Sequence, residues 1–314
     1  MGNRSRRKGR PISGILLLDK PKGKSSNGIL QHVKHLYGAS KAGHTGSLDP
    51  LATGMLPICF GEATKFSQHL LNADKTYSTI ARLGQKTNTG DAEGEIIQER
   101  DITLITKANL LSITNQFLGN IEQVPPMYSA LKHQGQPLYK LARKGIEIER
   151  KSRKLTIHSI DAEILDPFRI QFKVSCSKGT YIRSLVEDIG EMLGCGAHVE
   201  ELRRLTAGPF VSGMLTVEQL EEQESEKGAQ SLDEHLLPVN SAVESFNSVV
   251  LCREMADNLR QGKKIEIDDQ YVNQFSNDPL LQVWLDAEDA SKKFLGVASI
   301  IDGLLVPRRL ITTN

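Results

Sequence analysis

The sequence predicts an α+β fold with much antiparallel pairing, and three features lead there. Stretches with apolar residues at every second position and stretches with helical spacing follow one another in mixed order, without the regular βαβ alternation that builds a parallel sheet. Gly- and Pro-rich connections punctuate them. Near the end, Asp302-Gly303 sits inside an apolar run, "FLGVASIIDGLLVPRRLI", as a tight hairpin turn would. At 314 residues the chain is long enough for two domains, and no internal repeat is visible.

In order along the chain, "GILLLDK" reads as a short buried strand and "PKGK" as a turn. A helix follows, capped by Ser25 or Ser26, with Ile29, Leu30, Val33 and Leu36 on one face and Gly38 at its end. Gly43 to Gly61 is too rich in Gly and Pro to be regular. A short helix is expected near Lys65 to Leu71, then a strand, "TYSTIARLG", and a turn-forming loop, "TNTGDAEG". A helix spans Lys107 to Leu118. "VPPMYSALKHQGQPLYKLARKG" supplies a rigid entry and a short basic helix closed by Gly145. Ile170, Phe172, Val174 and Cys176 alternate as a half-buried strand that turns at Lys178-Gly179-Thr180 into a helix bearing Ile182, Leu185, Val186, Ile189 and Leu193. Tyr181 and Arg183 stand at that turn, with Arg183 out of phase with the apolar stripe. Glu218 to Glu226 reads as a solvated helix face or a linker. A last unit from Ser248 has a helix around Arg253 to Arg260, then the strands "LLQVWL" and "FLGVASIIDGLLVPRRLI".

Composition narrows the function. With 39% apolar and 25% charged residues the chain is of the globular class. Its apolar runs are too short to span a bilayer and none has signal-peptide layout, so no membrane is expected and the reading is cytoplasmic. Cys59, Cys176, Cys195 and Cys252 lie far apart with no ligand spacing, so neither metal nor disulfide is indicated. The net charge of +1 hides an asymmetry: residues 1–214 carry 30 Lys and Arg against 20 Asp and Glu, and residues 215–314 carry 9 against 18. "RSRRKGR", Arg4 to Arg10, and the stretch Lys132 to Lys154 are the basic clusters, and together they favour a polyanion, nucleic acid above all.

Asp49 is the acid of interest. It lies among glycines, small hydroxyls and apolar residues, followed by Pro50. A carboxylate can attack a sugar anomeric carbon or stabilise the positive charge that develops there, provided that it is ionised. Dry surroundings oppose ionisation unless a cation compensates, and Arg183 is the candidate. Tyr77 and Tyr181 offer flat surfaces for an extruded base. A structural role is open to each: Asp49-Pro50 also starts ordinary turns, Tyr77 could be core, and His44 could be a loop hydrogen-bonder.

"GHTGSLDPLATGMLPICFGEATK" closely resembles the catalytic motif of the TruB family, the tRNA pseudouridine-55 synthases. "LLLDKPKGKSS", "DKTYSTIARLGQKTNTGDAEG", "VPPMYSALKHQGQPLYKLARKG", "SKGTYIRSLVEDIG" and "AHVEELRRLTAGPF" are similar to the family's other core motifs, in the same order over roughly Gly14 to Phe210. The resemblance implies a pseudouridine-synthase fold with a mixed, largely antiparallel central sheet flanked by helices, followed by a small PUA-like barrel. It implies a basic arm over 1–13, a catalytic domain over 14–247 and the PUA-like domain over 248–314.

By the same resemblance the substrate is the T-arm of tRNA and the reaction needs no cofactor or metal. Asp49 is implied as nucleophile, and Tyr77 as stacking platform and as a base in the proton transfers. Arg183 is implied as the partner of Asp49, with Asp91 holding Arg183 when the site is empty. Tyr181 and Leu202 match substrate-lining positions, and His44 matches a residue that enters the reorganised T-loop. Lys20, Pro21 and Lys65 match positions of structural support. Lys20, Lys65, Lys132, Arg143, Lys144 and Arg203 are the candidates for the RNA backbone. In the acidic last third, seven acids and no Lys or Arg lie between Ile265 and Ser291, a face that repels phosphates, so Lys292, Lys293, Arg308 and Arg309 are the better contacts there. No guide RNA is expected, and without a symmetric apolar seam the expected state is a monomer. A non-catalytic RNA-binding or RNA-folding protein that uses the same cleft is the alternative.

Overall fold

The computed structural model describes residues 9–286 and 292–312. Residues 1–8, with most of the basic arm, and residues 287–291 of the acidic stretch lie outside the described residues. Where description begins, Arg10 is tied down: it pairs with Asp233 and donates to the carbonyls of Tyr37 (3.1 Å) and Ala229 (3.0 Å).

The chain opens with β1 (Gly14–Lys20) and α1 (Ser26–Leu36), the Ser25 hydroxyl capping α1 by accepting from the Gly28 N–H. Then come β2 (Ala42–His44), β3 (Thr53–Phe60), α2 (Ser67–Asn72) and β4 (Lys75–Leu83). A hairpin, β5 (Gln85–Thr87) and β6 (Ile96–Glu99), carries the "TNTGDAEG" loop. After α3 (Lys107–Asn115) and β7 (Gly119–Gln123), the short strands β8 (Lys132–His133) and β9 (Gln136–Pro137) lead into α4 (Leu138–Ala142). The domain is completed by β10 (Arg153–Asp166), β11 (Arg169–Cys176), α5 (Ile182–Met192), β12 (Ala197–Ala207) and α6 (Val217–Lys227).

These strands form one mixed sheet in the order β1-β3-β12-β4-β11-β10-β7, with β2 on the side of β3. Only β12 against β3 is a parallel pair on that path. Its period places Tyr77, Thr79 and Ala81 of β4 opposite Val174, Phe172 and Ile170 of β11 on one face. Leu185, Val186 and Ile189 of α5 close over that face in the main core.

From Ser248 a second sheet forms, β13 (Ser248–Leu251), β14 (Ile265–Glu266), β15 (Leu281–Asp286), β16 (Lys292–Ile301) and β17 (Leu304–Leu310), in the order β13-β15-β16-β17-β14. The Asp302-Gly303 turn is as expected: both residues have positive φ, 53° and 77°, and Ile301 pairs with Leu304. A second apolar cluster joins the two sheets, with Ile15, Met55 and Phe66 on one side and Phe294 and Val297 on the other.

The expectation of irregular backbone from Gly43 to Gly61 is corrected over its second half, where Thr53–Phe60 is a strand. It is covered on both faces, so its apolar residues run on without alternation, and Gly54 and Pro57 disguise it. Gly54 has φ +97°, and a Cβ there would lie 2.2 Å from the Arg204 carbonyl oxygen, so the bare backbone lets β3 meet β12. The helix at Lys107 stops at Asn115 rather than Leu118.

Candidate active site

The Asp49 loop is clamped from below. Lys20, at the end of β1, has no exposed surface and donates to the carbonyls of Ala52 (2.6 Å), Pro21 (2.9 Å) and Pro50 (3.3 Å). The Ser26 hydroxyl accepts from the Leu48 N–H (2.7 Å) and donates to the Leu48 carbonyl (3.0 Å), and the Ala52 N–H reaches the Asp49 carbonyl (3.1 Å). With Leu48, Leu51 and Ala52 buried, the loop holds Asp49 in one place. Lys20 is therefore not an RNA-backbone contact, and burial lowers its ammonium pKa to about 8.

Arg183, in the first turn of α5, reaches Asp49 Oδ2 at 3.0 Å and Asp91 Oδ2 at 3.4 Å. It also donates to the carbonyls of Tyr128 (2.7 Å) and Thr89 (2.8 Å). Both acids thus share the guanidinium. Asp91 is oriented by the Thr89 hydroxyl (2.7 Å) and the Glu93 N–H (3.1 Å). Arg183 and Asp91 are buried, while 41% of the Asp49 side chain is exposed, so Asp49 alone of the three presents itself to a ligand. Burial pushes the Asp49 carboxyl above its ordinary value, and Arg183 opposes that rise.

Asp49 and Arg183 stand on the common wall of two cavities. One is a wide cleft of about 970 Å³ lined by His44, Asp91, Tyr139 and Arg143 among others. The other, of about 290 Å³, is bounded by Tyr77, Tyr181, Leu202 and Arg204. Tyr77, Tyr181 and Leu202, far apart in sequence, thus meet around one pocket. Tyr181 is held at the mouth of α5 by Gln123, whose amide bonds both its N–H (2.8 Å) and its carbonyl (3.1 Å). Burial raises the Tyr77 phenol, so at neutral pH it is an uncharged ring, better suited to stacking than to accepting a proton. His44 lines the cleft with Nδ1 unpartnered, and burial together with Arg204 lowers its pKa, which favours a neutral imidazole.

The basic candidates divide. Lys132 and Arg143 line the wide cleft, and Lys144 is exposed just after α4. Arg203, its side chain 40% exposed, forks onto Asp19 (2.6 and 3.0 Å), and Lys65 is tied internally, joining Glu62 (2.7 Å) to the Leu310 carbonyl (3.0 Å) and Thr312 hydroxyl (3.1 Å). Lys292, Lys293, Arg308 and Arg309 are exposed on β16 and β17. Sequence reasoning missed Arg204, Lys75, Thr89, Tyr128 and Gln123. A basic residue amid the alternation of "ELRRLTA" was the one available signal for Arg204. Among the described residues, no group of three or more His, Cys, Asp or Glu is arranged to hold a metal ion.

Comparison with known proteins gives the chain's family. The family description "TruB family pseudouridylate synthase (N terminal domain)" matches residues 34–182, "tRNA pseudouridylate synthase B C-terminal domain" matches 183–244, and "Pseudouridine synthase II TruB, C-terminal" matches 248–311. The tRNA pseudouridine synthase B of Saccharophagus degradans is 49% identical over 319 residues, covering 100% of both chains. That of Pseudomonas aeruginosa is 50% identical over 304 residues, covering 96% of this chain and 97% of the relative. Among solved structures, one of a Cbf5-Nop10-Gar1 complex has a similar fold, with TM-score 0.67 at 24% identity over 91% of this chain and 78% of the other. An H/ACA RNP bound to a substrate RNA containing 2′-deoxyuridine gives TM-score 0.67 at 21% identity, over 95% and 85%. Full-length identity near one half and three consecutive family matches leave one conclusion: this chain belongs to the TruB family of pseudouridylate synthases.

Proposed function

We propose that the chain, a tRNA pseudouridine synthase like the relatives it matches, isomerises the T-loop uridine at position 55, with Asp49 acting at the ribose. The observation that carries this reading is the place of the Asp49–Arg183 pair, 3.0 Å apart on the wall between a wide cleft and a small pocket. A flipped nucleotide matches that layout, with its base in the pocket and its neighbours in the cleft. The N1–C1′ bond breaks, the base turns, C5 bonds C1′ and the C5 proton is lost. Arg183 keeps Asp49 ionised where burial opposes it, and exclusion of water strengthens what the carboxylate does at the sugar.

In this reading Tyr77 stacks on the base, Tyr181 and Leu202 wall it in, and neutral His44 enters the reorganised loop. Asp91 holds Arg183 in line. Lys132, Arg143 and Lys144 meet phosphates along the cleft. The catalytic unit runs over 14–247 and the PUA-like unit over 248–314. The enzyme works as a cytoplasmic monomer on bare tRNA without a guide. Among the described residues no helix is long and apolar enough to cross a membrane.

The test is tritium release from 5-labelled uridine in a T-arm stem-loop. Asp49→Asn is expected to lose about 10⁴-fold or more in single-turnover rate while RNA binding persists. Unchanged release would refute the assignment, and activity on bare tRNA would exclude a need for a guide.

A further inference from the structure

The small pocket is electrically unbalanced. Four charged side chains line it, Asp49, Arg183, Lys75 and Arg204, one acid against three bases. Arg183 is matched by Asp49 and Asp91. Lys75 is enclosed by the carbonyls of Leu70 (3.0 Å), Leu71 (2.9 Å) and Ala73, where it caps the C-terminal end of α2.

Arg204 differs from both. It is 1% exposed, and among the described residues no carboxylate pairs with it. Its Nε donates to the Met55 carbonyl of β3 (2.6 Å), and its Nη2 to the Gly46 carbonyl at the start of the Asp49 loop (3.2 Å). The guanidinium and the Tyr77 ring line the same pocket. A cation buried without a counter-ion is costly, and neutral carbonyls only partly offset it. The fold keeps it beside the ring on which the base stacks.

Resting on the function proposed above, we infer that Arg204 is a catalytic residue that stabilises the negative charge of the uracil while it is detached from the ribose. The C1′–N1 bond breaks with its electron pair left on N1, either as an Asp49 oxygen bonds C1′ or as Asp49 removes the C2′ proton. Both routes release the same uracil monoanion, its charge shared by N1, O2 and O4. As C5 bonds C1′, Asp49 is regenerated by leaving C1′ or by returning the proton to C2′. The C5 proton then departs to solvent and N1 takes up a proton. The substrate base enters neutral and is anionic only between the two bonds, so a cation without a carboxylate partner acts mainly where the charge develops.

The test compares single-turnover breakage of the N1–C1′ bond in T-arm stem-loops carrying uridine or 5-fluorouridine at the target; the fluorinated base has no C5 proton to lose, so its C5-glycoside is collected as the product that has added water at C6. Fluorine already stabilises the detached anion, so that substrate depends less on the guanidinium. Arg204→Gln is expected to slow uridine about 10²- to 10³-fold with RNA affinity unchanged, and to slow 5-fluorouridine about tenfold less; Arg204→Lys recovers part of the loss. Equal slowing of both substrates overturns the inference. No product from the unaltered enzyme would instead overturn the function on which it rests. Because Arg204→Gln also removes the hydrogen bonds to Met55 and Gly46, a second measurement uses the unaltered enzyme bound to a stem-loop with an abasic target. It should bind 5-nitrouracil, anionic at neutral pH, about tenfold or more tighter than neutral thymine of similar size; equal affinities overturn the inference.

Discussion

Replacing Arg183 by methionine keeps an unbranched apolar stem and removes the cation that two acids share. At separations of 3.0 and 3.4 Å each charge pair has a gross attraction of about 5 kcal/mol at an effective dielectric constant of about 20, before desolvation is subtracted. The Asp49 share is heavily screened, because that side chain is 41% exposed. Asp91 is buried, but keeps the Thr89 hydroxyl and the Glu93 N–H as donors. What the substitution leaves behind is one buried carboxylate without its cation, and the Thr89 and Tyr128 carbonyls without a donor. The expected loss is about 3 kcal/mol, the low end for removing one partner of a buried pair, measured by urea denaturation at pH 7. Activity supplies a second readout. Burial holds Asp49 above the ordinary carboxylate range and Arg183 pulls it back, so without the cation a smaller fraction is ionised at any given pH. The acid limb of the single-turnover rate, followed by tritium release from pH 5 to 9, should move to higher pH, with part of the lost rate returning as pH rises. A stability change within about 0.5 kcal/mol, or an acid limb that stays in place, would refute the reasoning.

Lys20 and Lys75 both have ammonium pKa values lowered by burial to about 8 from 10.5. The unfolded chain therefore binds more protons between those values, and folding stability should rise with pH across that window in urea titrations, less so in Lys20→Met or Lys75→Met. Over the same window deprotonation weakens the three hydrogen bonds of Lys20 under the Asp49 loop, so the rate should fall above pH 8 while the protein stays folded. Gly54→Ala sets a Cβ against the Arg204 carbonyl in a left-handed backbone and should cost at least about 2 kcal/mol by thermal or urea unfolding; a neutral result would mean that the β3–β12 approach is not tight. Lys132→Ala with Arg143→Ala should weaken RNA binding and reduce the slope of log affinity against log salt by about 2, one for each phosphate no longer neutralised, leaving the rate at saturation unchanged. An unaltered slope would take both residues off the RNA path.

The resemblance of the Asp49, Tyr77 and Arg183 segments was legible because each is a local string: a stiff apolar loop, a strand start, and a strand-to-helix turn with one basic residue out of phase. The turn at Asp302-Gly303 was legible for the same reason, since its backbone needs are met by two adjacent residues. Strand β3 was not. Alternation reports a strand with one wet face, and this one is dry on both.

Charge partners were least legible of all. By sequence Lys20, Lys65 and Arg203 looked like other basic residues in a basic half, available for phosphate. The fold turns Lys20 onto three carbonyls, Lys65 onto the C-terminal segment and Arg203 onto Asp19, and it buries Arg204, next to Arg203 in the chain, against the small pocket. The two arginines diverge because successive residues of a strand face opposite sides of the sheet. The sequence by itself determined which residue types were present for the chemistry and the loops that would present them. Which cations find partners within the protein, which one lines the small pocket, and that Asp49 and Asp91 share a single guanidinium were decided only when strands distant in the chain were brought side by side. Burial and pairing are properties of neighbours in space, and a residue's neighbours in sequence do not specify them.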